Sequence, residues 1–102
     1  VAKAPGGYTI QEIYAQRTKL AGKEVAVRGK VVKYNAQIMG RNWLHIQDGS
    51  GKEGANDLTV TTTTPAKLGD TVLVRGVLAT DKDFGAGYKF GVILDNAQIT
   101  VE

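Results

Sequence analysis

The feature that most restricts the fold of this chain is a phrase it contains twice. Val25-Ala26-Val27-Arg28-Gly29-Lys30-Val31-Val32 returns as Val72-Leu73-Val74-Arg75-Gly76-Val77-Leu78-Ala79, and each copy is approached through a glycine, Gly22-Lys23 and Gly69-Asp70. Both copies alternate and are rich in valine, which predicts strands entered from turns. The offset of 47 residues between Val25 and Val72 is too long for one hairpin. A glycine inside a strand weakens it unless it serves a bulge, a sharp bend or a close backbone approach. Two strands bent at such points suggest a small closed barrel.

A chain of 102 residues suits one domain with a single core. Residues 1–8 read as a flexible leader of the kind left by a cleaved targeting segment, and residues 9–102 as the folded domain. The absence of cysteine excludes disulfides, thiol catalysis and thiolate metal sites. A net charge of +3 permits contact with phosphate without requiring it. No apolar run approaches the roughly 20 residues of a membrane-spanning helix.

Thr9 followed by Glu12 is a capping-box pattern, and Ile10, Ile13, Tyr14 and Leu20 recur at near-helical spacing. One helix is predicted from Ile10 to Lys19, stopped by Gly22, and its apolar stripe suits it to plug one end of a barrel. The first strand is predicted from Lys23 to about Tyr34, with Val25, Val27 and Val31 inward, and Asn35 to Gly40 as a loop. Asn42 to Asp48 is the second strand, in which Leu44 and Ile46 alternate against Trp43, His45 and Gln47. The third runs from Asp57 to Thr62, with Leu58 and Val60 inward and Thr59 and Thr61 outward. The second copy of the phrase is the fourth strand. Asp81 to Gly87 is a glycine-rich hairpin loop, Tyr88 to Leu94 the fifth strand, and Ala97 to Val101 a separate edge segment.

These strands and their order resemble the OB-fold family, in particular its nucleic-acid-binding members. The likeness rests on Val25 to Val32, on Trp43-Leu44-His45-Ile46-Gln47-Asp48-Gly49-Ser50-Gly51 and on Leu68 to Gly76, and it covers roughly Lys23 to Leu94. The fold it implies is all-β with one N-terminal helix: a five-stranded Greek-key OB-fold barrel. With Tyr8-Thr9-Ile10-Gln11-Glu12 and Asp81 to Tyr88 included, the chain is also similar to small exported bacterial OB-fold proteins described as nucleic-acid-binding. That likeness implies a periplasmic or envelope location. The connection between strands three and four is too short for the helix that many OB domains place there, so the N-terminal helix is expected to take its role.

OB-folds bind oligonucleotides or oligosaccharides on the face of strands two and three, flanked by the first and last hairpin loops. Single-stranded nucleic acid needs aromatic planes for its bases and cations for its phosphates. In the matching segments stand Trp43 and His45, then Lys33, Tyr34 and Arg41 around the first loop, and Lys82, Phe84, Tyr88 and Lys89 around the last. The aromatics and the histidine have plainer readings: Trp43 as a cover for the outer wall, Tyr34 as core together with Phe90, Phe84 as a pin for its own loop, His45 as a polar surface residue. The single histidine has no second histidine or thiolate to build a metal site with. Asp81 and Asp83 lack the ligand spacing of a calcium loop, and Gly85-x-Gly87 lacks the setting of a phosphate loop. No nucleophile, base and orienting group assemble from these residues. The expectation is a non-catalytic, cofactor-free monomer that binds single-stranded nucleic acid; the alternative is an exported module holding a protein or glycan partner in the envelope.

Overall fold

A computed structural model describes residues 1–85 and 87–102; Ala86, part of the predicted last hairpin loop, lies outside them. The elements are α1 (Ile10–Ala15), α2 (Arg17–Leu20), β1 (Glu24–Ile38), β2 (Arg41–Gln47), β3 (Leu58–Thr62), β4 (Thr71–Asp83), β5 (Lys89–Leu94) and β6 (Gln98–Val101). The six strands form one sheet in the order β1-β2-β3-β5-β4-β6, and β1 also pairs with β4. Five strands therefore close into a ring, with β6 outside it as an edge. All neighbours are antiparallel except β3 and β5.

The repeated phrase explains the closure, because its two copies pair with each other. Val27 faces Val74 at the centre, and the register runs without a break from Glu24↔Val77 to Lys30↔Thr71. Each glycine lies across from the first valine of the other copy, Gly29↔Val72 and Val25↔Gly76. Valines at 25, 27, 72 and 74 are all buried in the core. Of the three uses of a strand glycine, the structure shows close approach rather than a bulge. A Cβ at Gly29 would stand 3.0 Å from the Cβ of Ile46, and one at Gly76 would stand 3.0 Å from the Cβ of Ala97.

The predicted single helix is two short ones. The capping box forms, with the Thr9 N–H donating to Glu12 Oε1 and the Glu12 N–H to Thr9 Oγ1. The helix then breaks at Gln16, whose backbone (φ −108°, ψ 18°) leaves the helical region. The loop after β2 completes the N-terminal cap of α1: Asp48 accepts from the Ile10 N–H and Ser50 from the Gln11 N–H. Ile10, Ile13 and Leu20 are buried against the valines and leucines of the ring. The segment expected as a flexible leader makes definite contacts. Ala4 is buried, the Tyr8 N–H donates to Ala26 O, and Arg28 reaches the carbonyls of Ala2 and Lys3.

One predicted loop is largely strand and another is strand in its first three residues. β1 continues to Ile38, and only Met39 and Gly40 turn the chain, both with positive φ (53° and 76°) as a tight primed hairpin turn requires. A bulge between Asn35 and Ile38 precedes the turn. It is pinned by the buried side chain of Asn42, which accepts from the Gln37 N–H and donates to Thr64 O. β4 likewise runs through Asp83, pairing Lys82↔Phe90 and Asp83↔Lys89, although Asp81 takes a left-handed backbone (φ 51°). The outer threonines of β3 are not exposed: Thr61 donates to Asp95 and accepts from the Asn96 N–H, which draws the start of the β6 segment over it.

Candidate functional site

Alternation along β2 puts Leu44 and Ile46 into the core, where both are fully buried, and leaves Trp43 and His45 on the opposite face. Trp43 is nevertheless only 5% exposed. The β4–β5 hairpin folds over its ring: Phe84 meets it edge-on at 5.2 Å between centroids, Phe90 stacks on it at 5.5 Å, and Tyr88 tilts against it at 5.7 Å. Phe84 and Phe90 touch each other at 6.0 Å. The indole N–H donates to Ile38 O at 2.8 Å, which ties the cluster to the first hairpin as well. The expectation that Trp43 offers an open stacking plane is therefore corrected. It is the base on which Phe84 and Tyr88 are mounted.

The rim of this aromatic ridge carries charge. The Arg41 guanidinium lies 5.7 Å and the Lys82 ammonium 5.5 Å from the centroid of Phe84, within cation–π range. Arg41 also pairs with Asp95 at 3.5 Å. Tyr88 remains 38% exposed at the edge of the cluster. Lys89 is exposed beside Phe90, and Lys33 is exposed on β1 across from His45. Tyr34 does not join the ridge: it packs against the main core, opposite Leu44. Phe90, which the sequence suggested as core, belongs to the ridge instead. Its spacing from Tyr88, two residues on in the fifth strand as the sequence predicts it, is the signal that joins them.

His45 has a defined partner that the sequence did not reveal. Its Nδ1 lies 2.6 Å from Asp57 Oδ1, while Gln47 Nε2 donates to Asp57 Oδ2 at 3.4 Å. Asp57 comes from the loop before β3, and its main-chain carbonyl accepts from the Tyr14 hydroxyl at 2.5 Å. Asp48 and Asp57 thus serve separate ends, a helix cap and a histidine partner. Among the described residues no cluster of three or more histidine, aspartate or glutamate side chains is arranged to hold a metal ion, and no helix is long and apolar enough to cross a membrane.

Burial of the Tyr14 phenol, and after it the charge of Asp57, pushes its pKa above the ordinary 10.0. A raised folded-state value means that the stabilisation is complete below the unfolded value and is lost as pH rises through the folded one. The expected result is a late ionisation step from Tyr14 when phenolate absorbance is followed above pH 10. Tyr14→Phe should remove that late step and flatten the alkaline loss of stability. A late step that survives the substitution would assign it elsewhere.

No protein-family model matches this chain, and no curated protein matches it either.

Proposed function

We propose that the ring is an OB-fold barrel and that the protein is a non-catalytic module binding single-stranded nucleic acid across the ridge of Phe84 and Tyr88. The observation that carries this reading is the cationic rim of Phe84, with Arg41 and Lys82 both within 6 Å of its ring on a base of buried Trp43. A nucleobase stacks on an aromatic face whatever its sequence, and adjacent cations follow its phosphates. Tyr88 supplies the exposed plane, and Lys33 and Lys89 extend the positive charge to either side. Support for the barrel comes from the closed five-strand ring and its parallel β3–β5 contact.

The test is the anisotropy of a labelled oligothymidine of about 15 nucleotides, the span of one such site. Tyr88→Ala is expected to weaken binding about tenfold, in line with about 1–3 kcal/mol for one stacked base. Lys82→Gln should lower the salt slope by about 1. Binding that ignores both substitutions would reject the ridge as the site.

A second reading draws on the carboxylates interleaved with these cations. Asp83 flanks Lys82, and Asp95 shares the charge of Arg41. An aromatic plane among carboxylate acceptors also suits a glycan. Oligosaccharide binding that is insensitive to salt, with no oligothymidine bound, would select it.

A further inference from the structure

The wall of the ring opens on the side of β5 away from β4. β3 and β5 pair only at Thr59↔Ile93 and Val60↔Leu94, so Lys89, Phe90 and Gly91 have no β3 partner. Beside this opening a groove of about 510 Å³ lies between the helices and the β4–β5 hairpin, reaching Tyr14, Arg17, Gly54, Asp81 and Gly91. It continues past Tyr14 and Gly54 into a further volume of about 440 Å³ bordered by Asp57, Lys89 and Phe90. Such volumes are those of small-ligand sites.

We propose that this groove is a second subsite, which takes one unstacked nucleobase of a strand lying across the Phe84–Tyr88 ridge. The inference rests on the nucleic-acid reading above. Three features carry it. The Tyr14 ring is held in place by its hydroxyl bond to the Asp57 carbonyl, so one wall is a fixed aromatic surface. At Gly91 a Cβ would meet nothing within 4 Å, so the β5 main chain lies bare at the floor. An open strand edge offers N–H and C=O groups, the same kinds of donor and acceptor that the edges of an unpaired base present. Arg17 and Lys89 stand at the two ends, and among the described residues neither is in an ion pair.

Continuity with the ridge is direct, because Phe90 both stacks on Trp43 and borders the groove. A peptide added as a further strand fits less well. The open edge ends at Ile93, where β3 closes in, and three residues give too short a ladder for strand addition.

The experiment compares labelled oligothymidines of about 4 and about 15 nucleotides, the limits of a single site, on wild type, Gly91→Leu, Arg17→Gln and Tyr88→Ala. Gly91→Leu fills the groove and is expected to weaken the longer oligomer about tenfold, the worth of one base contact, and to leave the shorter one unchanged. Arg17→Gln, which leaves the strands untouched, should lower the salt slope by about 1 for the longer oligomer alone. Tyr88→Ala should weaken both. Wild-type affinity for the longer oligomer in both groove variants, with Tyr88→Ala still weakened, would overturn the subsite and leave the ridge standing. A wild type that binds neither oligomer would remove both readings.

Discussion

Replacing Trp43 with alanine is expected to lower the stability of the protein by about 3–5 kcal/mol, the usual range for deleting a buried large aromatic side chain. The indole touches Phe84, Tyr88 and Phe90 and donates to Ile38 O, so its loss releases both hairpins at once. Aromatic pairs of this kind contribute about 0.5–1.5 kcal/mol each beyond the area they bury. On the proposed nucleic-acid reading, Phe84 and Tyr88 would then have no base to rest on, and oligonucleotide affinity should fall by more than in Tyr88→Ala. Urea unfolding measures the first effect through its midpoint. A wild-type midpoint in Trp43→Ala would show that the cluster does not hold the hairpins together. Trp43→Phe, which keeps a ring but loses the donor, should fall between the two.

The second large effect is expected at Gly29. Gly29→Val should destabilise by about 1–3 kcal/mol, the range for forcing extra carbon into a packed interior. The residue suits a strand and the backbone angle is ordinary, so propensity alone would favour the change. Space decides against it: three carbons of Ile46 lie 3.0–3.3 Å from the position of the new Cβ. The control is the same substitution at Gly91, also in a strand but facing open space, where the effect should stay within about 0.5 kcal/mol. Equal losses at both positions would mean that valine is rejected for a backbone reason, and the packing argument would fail.

Gly29 and its counterpart Gly76 also show what could be read from the chain before its structure. The repeated phrase marks both strands and flags the glycines as special, because alternation and composition are local properties. That the copies pair with each other around Val27 and Val74 depends on topology, which no window of residues contains. Alternation in β2 likewise places Trp43 on the outer face but cannot say what lies over it. The cover comes from Phe84, Tyr88 and Phe90, more than 40 residues away in the chain. The extension of β4 through Asp81-Lys82-Asp83 was hidden by polar residues that usually mark a turn, and here sit in a solvent-facing hairpin arm. The capping box at Thr9 and Glu12 was legible because all its groups lie within four residues. The break at Gln16 was not, since the apolar spacing carries on past it. Among the candidate residues, the cations and aromatics were visible as types, and those of the ridge came from the segments named for them; Tyr34 packs on the core instead, and the His45–Asp57 pair required the loop before β3 to return across β2.

The self-pairing of the repeated phrase also sets the order in which the chain can acquire its shape. Residues joined across β1 and β4 are separated by between 41 (Lys30 to Thr71) and 53 (Glu24 to Val77) positions in the chain, whereas the two hairpins are local. Hairpins form within microseconds, and distant pairings wait on the entropy of closing a long loop. Closure of the ring is therefore the late event of folding. Until it happens, two valine-rich strands with the same Val-x-Val-Arg-Gly core each expose an edge that the other copy, in the same molecule or in a neighbour, is equally able to satisfy. Dilution during refolding favours the intramolecular choice, and crowding at that stage favours exchange between molecules.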